Sequence, residues 1–540
     1  MRAMAQTGSH RRRRWFSHQP NVTGAGILAA YGPRFWLLVV TLGIVSGAAA
    51  ALLVALLKLV ERLAYGTAPG GYLGAVKAAP LSRHLAVLLL AAAIVVVGLL
   101  ALGNMRSSGG SEVSESLWLR RARLALAPSV ARGVLSIVTV GMGVSLGREA
   151  APQLTAAATA SRLADWASLP LWQRRLLVAS GAGAGFAAVY NVPLGGTLMA
   201  LEVLLGTLAL PLVLPALLTS VIATAVAWLT LGTHPAFFAP SYPVHVSQIV
   251  WAALFGPLIG WLAFGWTLLI RRASLARPGG ALKYLVPFVV FGALALLSVP
   301  YPQLLGNGKN IVQLAIIGNL SVGLLAALFV LKPLATAGCI GSGSPGGLFM
   351  PTFAVGALFA GLAGAGFSHL WPGSATGAYS LIGGGAFLAA SMQGPLAGTV
   401  LVLELTGHFN ALVVPTLIAV VEASVVARLL GASSIYSARL PDAPELELRP
   451  TASAAAIATI HALDDALPVE VTGPPSTSGR RGAGDGRQSR GEQQARRHPD
   501  QQAQASAEQQ GAVDGVRAGA GGERGTGEAG ADRGAEQPPD

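Results

Sequence analysis

Carboxylates are almost missing from the first 440 residues of this chain, and that scarcity constrains its fold more than any motif. Eight Asp or Glu lie there, against 27 Lys or Arg. Soluble domains keep about 25% of their residues charged, whereas this chain has 11% charged and 53% hydrophobic residues. So few charges cannot clothe a water-facing surface, which excludes a soluble enzyme. The apolar residues fall in long runs, so the chain reads as an all-α polytopic membrane protein. Its pI of 10.4 does not imply a nucleic-acid partner, because the basic residues are scattered between those runs.

The first run, Phe35 to Leu57, is long enough for a bilayer core of about 20 residues. It follows a basic segment, 1–33, with His10-Arg11-Arg12-Arg13-Arg14 as its densest cluster, which the positive-inside rule places in the cytoplasm. Further runs lie at about 84–103, 133–146, 176–189, 192–232, 246–270, 284–299, 311–335, 347–370, 379–403 and 411–430. Several are too short, or too broken by Gly and Pro, to be simple spans, and lipid tolerates such interruptions only where protein shields them or they line a cavity. Arg120-Arg121-Arg123, Arg174-Arg175 and Arg271-Arg272 mark cytoplasmic loops. The last segment, 441–540, holds 16 acids and 10 bases with almost no aromatics, and is expected to be a disordered cytoplasmic tail. The apolar part is therefore 34–440.

That part repeats itself. Pro193-Leu194-Gly195-Gly196-Thr197 leads to Leu201-Glu202, and Pro395-Leu396-Ala397-Gly398-Thr399 leads to Leu403-Glu404. A small-residue helix precedes each, around Gly183 to Ala188 and Gly384 to Ala389. Earlier, Gly147-Arg148-Glu149-Ala150-Ala151-Pro152 matches Gly346-Gly347-Leu348-Phe349-Met350-Pro351 at an offset of 199. One match could arise from abundant Gly and Leu; three in the same order do not. Two homologous halves, about 34–232 and 245–436, point to a transporter with its ion site where interrupted helices meet near the midplane.

Glu149 follows a glycine and opens an Ala-rich helix. The free N–H groups and positive dipole of a helix start make an anion site. A carboxylate there can take the anion's place and leave when protonated, which is a gate. The blander reading is an ion pair with Arg148, but intramembrane carboxylates default to function. Gly343 to Pro351 has the same build without a charge. Ser107-Ser108-Gly109-Gly110-Ser111-Glu112 is a further Gly/Ser loop entering a helix, with a capping box as its plainer explanation. Tyr436 follows the last apolar run, where an interfacial aromatic is common. Glu202 and Glu404 are expected to hold loops by hydrogen bonds, and Glu422 to pair with Arg428, with a proton site as the alternative. Cys339, the lone cysteine, and the nine histidines show no ligand spacing, so no metal and no cofactor are expected.

These residues resemble the CLC family of chloride channels and chloride/proton antiporters, over about 34–440. Gly147-Arg148-Glu149 is similar to the family's Gly-Arg/Lys-Glu signature, which makes Glu149 the gating glutamate and puts Arg148 at the chloride path. Gly347-Leu348-Phe349-Met350-Pro351 resembles Gly-x-Phe-x-Pro, whose amides, here of Leu348 and Phe349, contact chloride. Ser108 falls at the family's chloride-binding serine and Tyr436 at its chloride-binding tyrosine. Asn191 to Gly196 matches a further family segment. The resemblance implies two inverted-topology repeats with tilted, interrupted helices, a pore in each subunit of a homodimer, and a cell-membrane protein with both termini cytoplasmic. The serine loop lacks the usual Ile-Pro, and Ala150-Ala151-Pro152 replaces Gly-Pro. Val203 stands where antiporters often carry an inner proton glutamate. The resemblance therefore implies passive chloride conduction, with chloride/proton exchange by another proton route as the alternative. Selectivity is expected from helix starts and hydroxyls, not from a fixed buried Arg or Lys. Two other classes remain to be weighed: an intramembrane serine hydrolase built on Ser342 or Ser344, which needs a base at membrane depth, and a carrier of small organic anions.

Overall fold

The computed structural model describes residues 24–103, 109–407 and 412–440, with side chains from Tyr31 onward. The expected tail at 441–540, most of the basic segment, and Ser108 lie outside the described residues.

The described chain is helical throughout. The first half holds α1 (Gly24–Tyr65, broken at Gly32 and Pro33), α2 (Gly71–Ala78), α3 (Leu81–Leu102), α4 (Gly110–Leu119), α5 (Leu126–Gly141), α6 (Ala150–Trp166), α7 (Leu171–Tyr190), α8 (Pro193–Leu198) and α9 (Leu210–Leu231). The second holds α10 (Val246–Leu275), α11 (Leu282–Ser298), α12 (Lys309–Ile316), α13 (Val322–Gly341), α14 (Phe349–Leu370), α15 (Thr376–Met392), α16 (Pro395–Thr406) and α17 (Val413–Leu429). Six of the described helices are long and apolar enough to cross a membrane.

The halves repeat their packing as well as their sequence. α6 lies on α7 as α14 lies on α15, and α1 lies on α9 as α10 lies on α17. α7 and α15 end alike, on the left-handed residues Asn191 (φ 59) and Gln393 (φ 58). Small residues permit this closeness, since lipid supplies no hydrophobic drive between helices. A Cβ on Gly185 would lie 2.3 Å from the Pro152 carbonyl oxygen, and one on Gly356 would lie 2.5 Å from Phe387 Cβ.

Three of the long apolar runs are interrupted. The run at 192–232 divides into α8, a π-helical turn over Met199–Leu205, and α9. The turn ends on Gly206 (φ 70) and carries Glu202 and Val203. The runs at 311–335 and 379–403 divide likewise, into α12 with α13 and α15 with α16. The loops preceding α6 and α14 meet directly. Gly147 N–H donates to the Gly347 carbonyl and Gly347 N–H to the Gly147 carbonyl, both at 2.7 Å, as one antiparallel bridge. The true register of the repeat here is 200 residues.

Candidate functional site

That bridge points the starts of α6 and α14 at one spot, and Glu149 occupies it. Its side chain is buried. Oε1 accepts from the Phe349 amide at 2.8 Å, and Oε2 accepts from the Tyr190 hydroxyl at 3.0 Å. A Cβ on either Gly147 or Gly347 would lie 2.0 Å from Glu149 Oε1. The two paired glycines therefore leave the volume the carboxylate fills. Phe186, Tyr190 and Phe349 wall it, with Phe186 edge-on to Phe349 at 4.7 Å. Arg148 does not pair with Glu149; its guanidinium lies 5.1 Å above the Tyr190 ring.

Charge–amide contact of this kind is what an anion makes at a helix start. Glu149 is the chain's own anion, seated on the amide of the opposite half.

Tyr436 is buried at the start of α4 rather than exposed at an interface. A Cβ on Gly110 would lie 2.5 Å from its ring, and 3.2 Å from Gln153 Oε1 on α6. Its hydroxyl faces the Met392 sulfur at 3.9 Å. Gly109 packs on Ala150, the residue after Glu149: a Cβ on Gly109 would lie 2.6 Å from the Ala150 Cβ. So Glu149, Phe349 and Tyr436 belong to one neighbourhood, and Leu348 caps α14 beside it with its carbonyl engaged by Thr352.

Glu202 and Glu404 do hold helix starts, and do so crosswise. Glu404 accepts from the Leu194 and Gly195 amides at 3.0 and 2.6 Å; Glu202 accepts from the Leu396 and Ala397 amides at 3.2 and 2.5 Å. Each caps the Pro-Leu helix of the other half. Val203 packs beside Glu202 against Gly394. Glu422 does not pair with Arg428. Arg428 donates to Gln393, while Glu422 Oε2 lies against Gly256 on α10 with no hydrogen-bond partner.

Two buried cations, Lys332 and Arg439, lie in the protein interior, and neither touches Glu149. Lys332 on α13 donates to Ser145 Oγ at 2.7 Å and to the Gly306 and Leu304 carbonyls at 3.1 and 3.3 Å. It thereby holds the loop that leads to Glu149. Arg439 is the second. The signal for Lys332 was present in the sequence, because Arg132 lies 200 residues earlier, in the matching helix, and pairs with Glu112. Tyr190 was missed for want of any charge or motif of its own.

Among the described residues, no base is hydrogen-bonded to Ser342 or Ser344. Ser342 donates to the Cys339 carbonyl, and the buried Ser344 hydroxyl has no hydrogen-bond partner.

A family model described as "Voltage gated chloride channel" matches residues 89–428. The chain belongs to that family. Its members are transport proteins, not enzymes. The voltage-gated ClC-type chloride channel ClcB of Salmonella typhimurium is 32% identical over 358 residues, covering 64% of this chain and 84% of ClcB. The H(+)/Cl(-) exchange transporter ClcA of Klebsiella pneumoniae is 31% identical over 322 residues, covering 55% of this chain and 66% of ClcA. Among solved structures, a slow cyanobacterial Cl-/H+ antiporter superposes with a TM-score of 0.67 at 21% identity, covering 75% of this chain and 97% of the other. A CLC-type fluoride/proton antiporter gives 0.62 at 20% identity, covering 77% and 99%. These two establish the fold: CLC-like, with two inverted-topology repeats.

Proposed function

We propose that this protein is a passive chloride channel with one pore in each subunit of a homodimer, gated by Glu149. The observation that carries it is the Glu149 carboxylate on the Phe349 amide and Tyr190 hydroxyl. A group held in an anion's place blocks the anion. When it takes up a proton, its charge-assisted bonds weaken and chloride replaces it. Chloride would meet the amides of Leu348 and Phe349, the hydroxyls of Ser108 and Tyr436, and the charge of Arg148 at the mouth. Arg148 shares that region with Lys309, Lys58 and Glu61, which interact electrostatically, and the excess positive charge would steer anions inward.

Passive conduction rests on position 203. A valine carries no proton, and both oxygens of the neighbouring Glu202 are engaged in capping α16. The second reading is chloride/proton exchange; the relatives whose names include the exchange transporter ClcA favour it. We place the protein in the plasma membrane with both termini cytoplasmic, residues 34–440 as the transport unit and 441–540 as an extension. The test uses purified protein in liposomes holding a chloride gradient, with internal pH recorded. Chloride flux without uphill proton movement supports the channel. Uphill proton movement makes the protein an exchanger. Flux of small organic anions in preference to chloride would remove both readings.

A further inference from the structure

A second polar centre lies apart from Glu149. A cavity of about 350 Å³ opens where the end of α3, the end of α10 and the end of α13 converge under Arg439. Three cationic side chains line it: Arg277, Lys283 and Arg439. None of the eight carboxylates that precede residue 441 does. Glycines at 279, 280, 341 and 343 leave the backbone bare around the guest space.

Arg439 is the built element of this site. It is 3% exposed, donates through Nε to Ser274 Oγ at 3.3 Å, and keeps a buried Nη2 with no hydrogen-bond partner. Arg277 is pinned by its Nε bond to the Ile340 carbonyl at 2.9 Å, close enough to repel Arg439. Burial first, and that repulsion second, push the Arg439 guanidinium down from the usual arginine range to about 9. A buried charge with a spare donor and a like-charged neighbour calls for an anion. Planar guanidinium groups match the oxygens of a phosphate, whereas an ammonium adds a point charge.

The surroundings say where that phosphate comes from. Leu99 lines the cavity, and its neighbours Val97 and Leu100 on α3 face outward. Lys283 lines it too, and Leu282, Leu285 and Val289 on α11 face outward, on a helix packed against α3. Leu275, at the end of α10, is both lining and exposed. The cationic cavity thus opens beside an apolar outer wall, at the end of α10 that carries Arg271 and Arg272 and reads as cytoplasmic. Basic pockets between membrane helices on that side take anionic headgroups. We propose that this cavity binds the phosphate of an anionic phospholipid whose acyl chains lie along α3 and α11.

The experiment is native mass spectrometry of the full chain released from micelles containing phosphatidylglycerol or phosphatidylcholine. Phosphatidylglycerol should be retained and phosphatidylcholine should not. Arg439→Gln should weaken retention by about tenfold, the loss of a charge-assisted contact. Lys283→Gln, at the half-buried mouth, should weaken it by about threefold, and remains readable if Arg439→Gln fails to fold. Equal retention by wild type and both variants overturns the proposal. Displacement of the lipid by millimolar inorganic phosphate overturns the lipid as the source and leaves a free phosphate as the ligand. Displacement by chloride alone, at the concentrations that support flux, makes the cavity an inner chloride vestibule instead.

Discussion

Among the described residues, three carboxylates accept amide hydrogens from the opposite half, but they do so in two different ways. Glu202 and Glu404 form a reciprocal pair, each closing the start of the other half's Pro-Leu helix with both oxygens. Glu149 has no counterpart. Position 349, which matches it across the repeat, is a phenylalanine that supplies an amide and an aromatic wall. The reciprocal pair holds the α8–α16 contact from both sides, so each bond is reinforced by its twin. Glu149 makes only one backbone bond across the halves, and its other partner is a hydroxyl that can turn. Symmetric amide capping locks two halves together; the same chemistry made once, at the place where two helix starts meet, leaves a group that can depart.

Removing the charge at Glu149 should have the largest effect. Hydrogen bonds to a charged group contribute about 1.5–3 kcal/mol, so Glu149→Gln should raise chloride flux from liposomes at neutral pH by about tenfold or more. Flux in the parent should rise as pH falls, because protonation of Glu149 does what the substitution does; in Glu149→Gln that dependence should vanish. An unchanged rate with an unchanged pH profile would remove the gate assignment. Gly347→Ala should act in the same direction and less strongly. Its Cβ would overlap Glu149 Oε1, so the carboxylate must shift out of its seat or the antiparallel bridge must open. We expect severalfold higher flux, some remaining pH dependence, and about 1–3 kcal/mol lower stability from the overpacking.

The reciprocal pair should respond in stability rather than in flux. Glu404→Gln and Glu202→Gln should each cost about 1–2 kcal/mol in thermal unfolding, since two charge-assisted bonds become neutral ones. The double variant should cost measurably less than the sum, because both caps hold the same α8–α16 contact. If Glu202→Gln instead abolishes a proton flux while leaving stability intact, the comparison fails and Glu202 joins the ion path.

How much of this was readable follows from what each feature depends on. Glu149 and the amides of 348–349 were legible because a loop glycine before a helix start is a local pattern, and the repeat supplied it twice. The crossed caps were half legible: the matching Glu202 and Glu404 stood out, but their exchange of partners needs the halves to face each other, which no local pattern records. Tyr190 closes the Glu149 seat only because α7 runs beside α6 and stops at left-handed Asn191. Lys332 was marked only by its repeat partner Arg132, and its purpose depends on three oxygens from two distant loops. Arg439 carries no motif in the sequence, and only packing makes it interior.

Val203 offers the smallest effect and the sharpest use of the contrast. It lies on the π-helical turn next to Glu202, half-buried against Gly394, and makes no polar contact of its own. If the channel reading holds, nothing passes through this side chain. Val203→Ala should then leave chloride flux within about twofold of the parent and cost about 0.5–1.5 kcal/mol of stability, as for trimming a partly buried aliphatic group. The same liposome assay with internal pH recorded decides it. A variant that gains or loses proton movement would mean that the space beside Glu202 conducts protons through water, and that the seat of Glu149 is reached from this side as well.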